Sequence, residues 1–263
     1  MRQRGMLPQL DWNNPLTQGV AFYWAAPDWI GPTGFEALDF SGNVNHGTFT
    51  NMDPATAWTS TAYGTALDFD GSDDRVVMPS TLGIVGDISV EAWIVSGTAS
   101  QIKTVVANAN TANSDNVWGL YVLGNFGNRP AFKVNGKWSN IASGPAIADG
   151  VLVHLVAAHT AGVGVTIYID GVPTTWSLAH TPAATTQAAT IGNENPSGNR
   201  NQFKGQILSV GVYDRVMSGQ EVALRRSIGP NGLFAPRRRI FGYVPAAGGG
   251  ARQSSLMLMG LGV

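Results

Sequence analysis

Residues 87–96 read Asp-Ile-Ser-Val-Glu-Ala-Trp-Ile-Val-Ser, and their alternation decides the fold class. Ile88, Val90, Ala92 and Ile94 fall on one face of an extended chain, and Ser89, Glu91 and Trp93 on the other. A period of two belongs to a β-strand and not to a helix. Residues 163–170 (VGVTIYID) repeat the pattern, with Val165, Ile167 and Ile169 alternating against Thr166 and Tyr168. The Asp170-Gly171 pair that follows predicts a tight hairpin into VPTTW, because both residue types tolerate positive φ. Further strands are predicted at 21–24, 47–50, 66–69, 75–78, 102–107, 117–123, 131–134, 151–159 and 206–213. One helix is predicted. Ser218-Gly-Gln-Glu221 is a capping box, and Gly229-Pro230 supplies the matching stop. About a dozen short strands and one late helix imply an all-β sandwich or jelly roll of two antiparallel sheets.

Composition agrees. Of 263 residues only 13% are charged, against about 25% in typical domains. The 33 glycines and 14 prolines favour many turns over long helices. A net charge of −1 gives no global field to attract nucleic acid. With no cysteine there is neither a disulfide nor a thiolate metal site. The opening MRQRGMLPQLDWNNPLTQGV has two arginines but no unbroken apolar run behind them, so a cytoplasmic origin is expected. No segment is apolar for the roughly 20 residues that a membrane span needs.

Four segments, in order, resemble the laminin-G-like, concanavalin-A-like jelly rolls: DFSGNVNHGTF (39–49), LDFDGSDDRVVMPS (67–80) with DISVEAWIVS (87–96), DGVLVHLVAAHTAGVGVTIYIDGVP (149–173) and FKGQILSVGVYDRVMSGQEVALR (203–225). The resemblance covers 19–228 and implies a concanavalin-A-like sandwich with one short helix near the C-terminus. It leaves extended terminal arms at 1–18 and 229–263. It does not choose a function, since such folds serve as lectins, adhesion domains, hydrolases and structural modules.

Hydrolases of this superfamily use paired glutamates, one to protonate the leaving oxygen and one to attack or activate water. The four glutamates here are Glu36, Glu91, Glu194 and Glu221, and none has an acidic residue two positions away on its strand. No catalytic residue is therefore expected. His154 and His159 lie five apart on one predicted strand, hence on opposite faces, which excludes a metal site shared between them. His154 is expected to be a core histidine bonded to neighbouring backbone, and the resemblance gives His46 a loop-ordering role. Calcium is the one cofactor that the resemblance implies. By position its ligands would be Asp70, Asp73, Asp74 and Asp214, against the plainer reading of Asp70–Asp74 as a turn. For a glycan, Trp118, Tyr121, Asn125, Asn128 and Trp138 combine aromatic platforms with amides, unless the aromatics are half-buried packing.

The remaining clue is the C-terminal segment. Arg237, Arg238 and Arg239 need solvent or a carboxylate-bearing partner, and 248–250 is a glycine joint. Leu256, Met257, Leu258, Met259 and Leu261 form an apolar strip that would aggregate if left free in water. The run LFAPRRRIFGYVP (233–245) is similar to the close of many sandwich proteins encoded by bacteriophages and prophages. The leading expectation is a non-catalytic virion structural protein, a head decoration or tail component, that docks on copies of itself or on other capsid or tail proteins through its termini. The alternative is a carbohydrate-binding module for attachment, at a cell surface or outside the cell. A glycoside hydrolase is the third reading.

Overall fold

The computed structural model of the chain describes residues 9–26, 36–109, 116–139 and 143–235. In chain order its strands are β1 (Val20–Ala25), β2 (Glu36–Ala37), β3 (Gly47–Thr50), β4 (Trp58–Thr61), β5 (Gly64–Asp70), β6 (Arg75–Val77), β7 (Ile88–Ser96) and β8 (Ile102–Ala109). They continue with β9 (Asn116–Leu123), β10 (Arg129–Val134), β11 (Lys137–Trp138), β12 (Leu152–Thr160), β13 (Gly164–Ile169), β14 (Val172–Ser177), β15 (Ala189–Ile191) and β16 (Lys204–Tyr213). One α-helix among the described residues, α1 (Gly219–Ile228), follows. All pairings are antiparallel. One sheet runs β14-β13-β12-β7-β16-β5-β4 with β1 added on β16, and the other runs β11-β10-β9-β8-β15-β6-β3-β2.

Local chemistry explains these elements. Asp170 and Gly171 both take positive φ, +51° and +85°, which closes the β13–β14 hairpin with the twist its strands require. The capping box is complete: the Ser218 hydroxyl accepts from the Glu221 amide, and the Glu221 carboxylate accepts from the Ser218 amide. Strands β2, β4, β11 and β15, each two to four residues long, are not among the predicted strands.

Between the sheets lies a continuous apolar core. Ile88, Val90, Ala92 and Ile94 of β7 enter it with Leu120, Val122, Phe132, Val210 and Val212. The opposite face of β7 departs from expectation. Ser89, Glu91 and Trp93 are as buried as their neighbours. The reason is a second layer over the outer face of this sheet, where Leu10, Leu16, Met217, Val222, Leu233 and Phe234 pack on Tyr23, Val156 and Tyr213.

This layer encloses a charge cluster. The Arg225 guanidinium, fully buried, donates from Nε to both oxygens of Glu91 at 2.9 and 3.0 Å, and Nη2 lies 2.8 Å from Oε1. Tyr213 donates its hydroxyl to Oε2 at 3.1 Å. His154 meets Oε1 through Nε2 at 3.0 Å, so its partner is this carboxylate and not backbone, and its ring stacks on Trp93. Arg225 also donates to the Tyr23 hydroxyl at 3.2 Å, and that hydroxyl donates to the Pro230 carbonyl. Burial alone would raise the Glu91 pKa, but Arg225 and the His154 hydrogen bond outweigh it and hold it well below the carboxylate range. Burial pushes Tyr23 up to about 12 and Tyr213 well above its ordinary value.

Removing one partner of a buried ion pair strands the other, which typically costs about 3–5 kcal/mol. Glu91→Ala should lower unfolding stability by that order in urea titrations at neutral pH, and a loss below about 1 kcal/mol would contradict the role given to the pair. Because the folded pKa of Glu91 is depressed, its contribution is present above the unfolded value of about 4.3 and is lost as pH falls below it. Urea midpoints measured from pH 6 to pH 3 should therefore fall more steeply for the native chain than for Glu91→Gln.

Candidate functional site

Of the sequence-predicted sugar residues the structure brings together only Tyr121 and Trp138. Trp118 and Tyr121 are three apart on β9, so a strand sends them to opposite faces. Trp118 enters the core, where no ring face is open to a ligand. Tyr121 lies on the outer face of its sheet, but it is fully buried beneath other side chains. Its hydroxyl donates to Glu194 Oε1 at 3.3 Å, and burial, then the Glu194 charge, pushes its pKa well above the ordinary value. Lys133 Nζ meets the same oxygen at 3.2 Å, while Arg200 Nε lies 3.0 Å from Oε2. Trp138 is half-buried, with its ring against Tyr121 and 5.0 Å from Lys133 Nζ. Asn125 is exposed in the short turn 124–126. Asn128 is engaged by Lys103 and Asp149.

Of the four aspartates proposed for calcium, three meet. Carboxylate oxygens of Asp70, Asp73 and Asp74 lie within 4.8 Å of one another in the β5–β6 turn. Two are already engaged: Asp74 accepts from the Asp70 amide, and Asp70 accepts from the Ser72 amide. Such hard oxygens suit calcium, and the same hydrogen bonds suit a turn. Asp214 does not join them. Lys204 pairs with Asp70 at one end of β16, whereas Asp214 follows its other end, so roughly 30 Å of strand separates them. Arg237–Arg239, Leu256–Met259 and Leu261 lie outside the described residues.

At the Asp214 end the fold builds a different site. Segment 39–46 is organised by the Asp39 carboxylate. It accepts from the amides of Tyr23, Ser41 and Asn45 at 3.1, 2.9 and 2.9 Å and from the Ser41 hydroxyl at 2.8 Å. His46 Nδ1 accepts from the Asp39 amide at 2.9 Å, which gives His46 its loop-ordering place. The Asn43 amide group then donates to the carbonyls of Val20 and Ala21, at 3.3 and 3.0 Å, and locks the loop to β1. Ser80 donates to Asn45 Oδ1 at 2.7 Å and brings the 80–83 turn alongside.

These segments and Asp214 surround a cavity of about 530 Å³, within the range of small-molecule sites. Trp12 lines it with 56% of its surface exposed, as large an exposed aromatic as any among the described residues. The ring reaches the cavity because Asn14 caps the short helix 15–17 and Asp11 donates its amide to Leu233. The polar part of the lining is hydroxyl, amide and a single carboxylate, and Val20, Ala21 and Leu82 add apolar surface. A second, smaller cavity on the other side of Trp12, lined by Leu10, Leu38, Phe40 and His46, is largely apolar. Sequence reading missed Trp12, Asn43 and Ser80 because the site joins segments about 30 to 200 residues apart; the only local signal was the run Asp-Trp-Asn-Asn at 11–14.

Comparison with known proteins agrees with this architecture. No curated protein sequence matches the chain. Among solved structures, domain 4 of AbnA, a GH43 extracellular arabinanase from Geobacillus stearothermophilus, in complex with arabinotriose, superposes with a TM-score of 0.59 at 18% identity. It covers 78% of this chain and 96% of that one. A Trypanosoma rangeli sialidase mutant displaying trans-sialidase activity superposes at 0.57 with 13% identity, over 79% of this chain but only 32% of the sialidase. The binding domain of Paraclostridial Mosquitocidal Protein 1 superposes at 0.55 with 14% identity, over 80% and 52% of the two chains. At such identities the likeness is one of fold. A laminin-G-type family model matches residues 70–223, more than half of the sequence, and the chain belongs to the concanavalin A-like lectin/glucanases superfamily.

Proposed function

We propose that the chain is a non-catalytic glycan-binding module whose site is the rim cavity beside Trp12. The observation that carries this is the half-exposed indole set against a wall of hydroxyl and amide groups. A sugar presents an apolar C–H face and a ring of hydroxyls, and this pairing of surfaces complements both. The arabinotriose held by domain 4 of AbnA is consistent with a saccharide ligand for such a sandwich. The non-catalytic part is supported by what the glutamates do. Glu91 and Glu194 are held in buried ion pairs, and Glu221 closes the helix cap and pairs with Arg215.

A second reading concerns deployment: the module would serve on a virion, in a head or tail. The sequence 233–245, similar to the close of phage-encoded sandwich proteins, favours it, together with the apolar strip 256–263.

Trp12→Ala should weaken binding to an oligosaccharide array by at least about tenfold, equivalent to about 1.4 kcal/mol, without lowering the melting temperature. Trp138→Ala should leave binding unchanged. The reverse result would move the site to the outer face of the second sheet, and retention of binding by both variants would remove it from the rim. For the virion reading, deletion of 256–263 should change the oligomeric state measured by light scattering. An unchanged mass would count against a docking role for that segment.

A further inference from the structure

We infer that the rim cavity selects uncharged, hydroxyl-rich saccharides and discriminates against glycans bearing a carboxylate, with Asp214 setting the choice; this rests on the glycan-binding reading above. Asp214 is exposed, lines the cavity, and receives no hydrogen bond on its carboxylate from any described residue. Its position is built into the backbone. Gly19 holds φ at +65°, and a Cβ there would stand 2.4 Å from Asp214 Oδ1, so only glycine lets the carboxylate lie against β1 at this point. The neighbouring cation is turned away, since Arg215 donates Nε to the Gln18 carbonyl at 2.8 Å and pairs through Nη1 with Glu221 at 2.8 Å. The lining therefore carries one formal charge, and it is negative.

Hydrogen-bond polarity points the same way. The side-chain donors nearest Asp214 are engaged within the protein: the Asn43 amide on Val20 and Ala21, the Ser41 hydroxyl on Asp39, and the Ser80 hydroxyl on Asn45. The Asn43 side-chain oxygen and both oxygens of Asp214 accept no hydrogen bond from a described residue and add acceptors to the lining beside the Thr81 hydroxyl. Sugar hydroxyls both donate and accept, and can donate to these oxygens. A sialic or uronic carboxylate is acceptor-only, finds no cation, and is repelled by Asp214. Three-dimensional likeness to a sialidase thus carries over the sandwich and not a sialic-acid preference.

The test uses the whole chain and matched ligand pairs that differ by one carboxylate: lactose with 3′-sialyllactose, and xylotriose with its glucuronate-substituted form, within a wider neutral panel. The native chain should bind neutral members and lose about tenfold or more for the carboxylated partner of any pair it recognises. Asp214→Asn should narrow that ratio and Asp214→Lys should reverse it, both with unchanged melting temperature. High salt should shrink the native ratio, since exposed charges are screened beyond about 10 Å at 0.1 M. Equal binding of both partners by the native chain, or a ratio insensitive to Asp214→Lys, would overturn the inference while leaving glycan binding intact. Failure to bind any panel member would overturn the glycan-binding reading and this inference together.

Discussion

The buried pair between Glu91 and Arg225 is the constraint from which the rest of the molecule is arranged. A carboxylate on the central strand of a sheet is tolerable only with a cation and full hydrogen bonding, because desolvation of a lone charge is too costly. Arg225 answers that demand from a helix, so α1 must dock where its guanidinium reaches β7. Once docked, the same residue holds Tyr23 and the carbonyl of Gly229, and Tyr23 in turn holds Pro230. The chain beyond the helix is thereby laid along the sheet, where Phe234 bridges to Leu10 and the Leu233 carbonyl takes the Asp11 amide. Trp12 is the next residue. An unbroken line of contacts therefore runs from a charge in the middle of the sheet to the aromatic ring at the rim.

This line also explains why the N-terminal segment is more than an appendage. Leu10 and Leu16 contribute to a small second core that would otherwise leave Tyr23, Val156 and Tyr213 facing water. The cavity needs the same segment, because its aromatic wall comes from residue 12 and its polar wall from the loop held by Asp39. Packing energy fixes the segment, and the fixed segment presents the ring. A cavity between a strapped-down terminus and a loop satisfied by its own carboxylate would leave little ordering for a ligand to impose.

Much of the fold was legible because it depends on local rules. Alternation in 88–94 and 165–169, the Asp170-Gly171 turn and the Ser218–Glu221 box each act within a few residues, and each forms as its chemistry requires. The site was not legible for the opposite reason. Grouping Trp118 with Tyr121 considered nearness in sequence and overlooked strand parity, which sends one into the core and the other out. The resemblance placed Asp214 with Asp70–Asp74 by position, but β16 separates them by its whole length. The burial of Ser89, Glu91 and Trp93 could not be read from β7 alone, since a helix 130 residues downstream covers them.

The same charges bear on whether this sandwich carries hydrolytic chemistry. A general acid at neutral pH needs a carboxyl whose pKa is raised, with access to the leaving oxygen. Glu91 has the reverse: it is pulled down by Arg225 and His154 and sealed under the helix layer. Glu194 is buried too, with Lys133 and Arg200 on its oxygens and the Tyr121 hydroxyl against it. The depressed pKa of Glu91 opposes proton donation from it, and Glu194 is held in place by its ion pairs. Protonating Glu91 would leave Arg225 without a counter-charge where both side chains are buried. Glu91 and Glu194 thus act as fasteners inside the sandwich, while Asp214 is the carboxylate that the described residues present to the rim cavity.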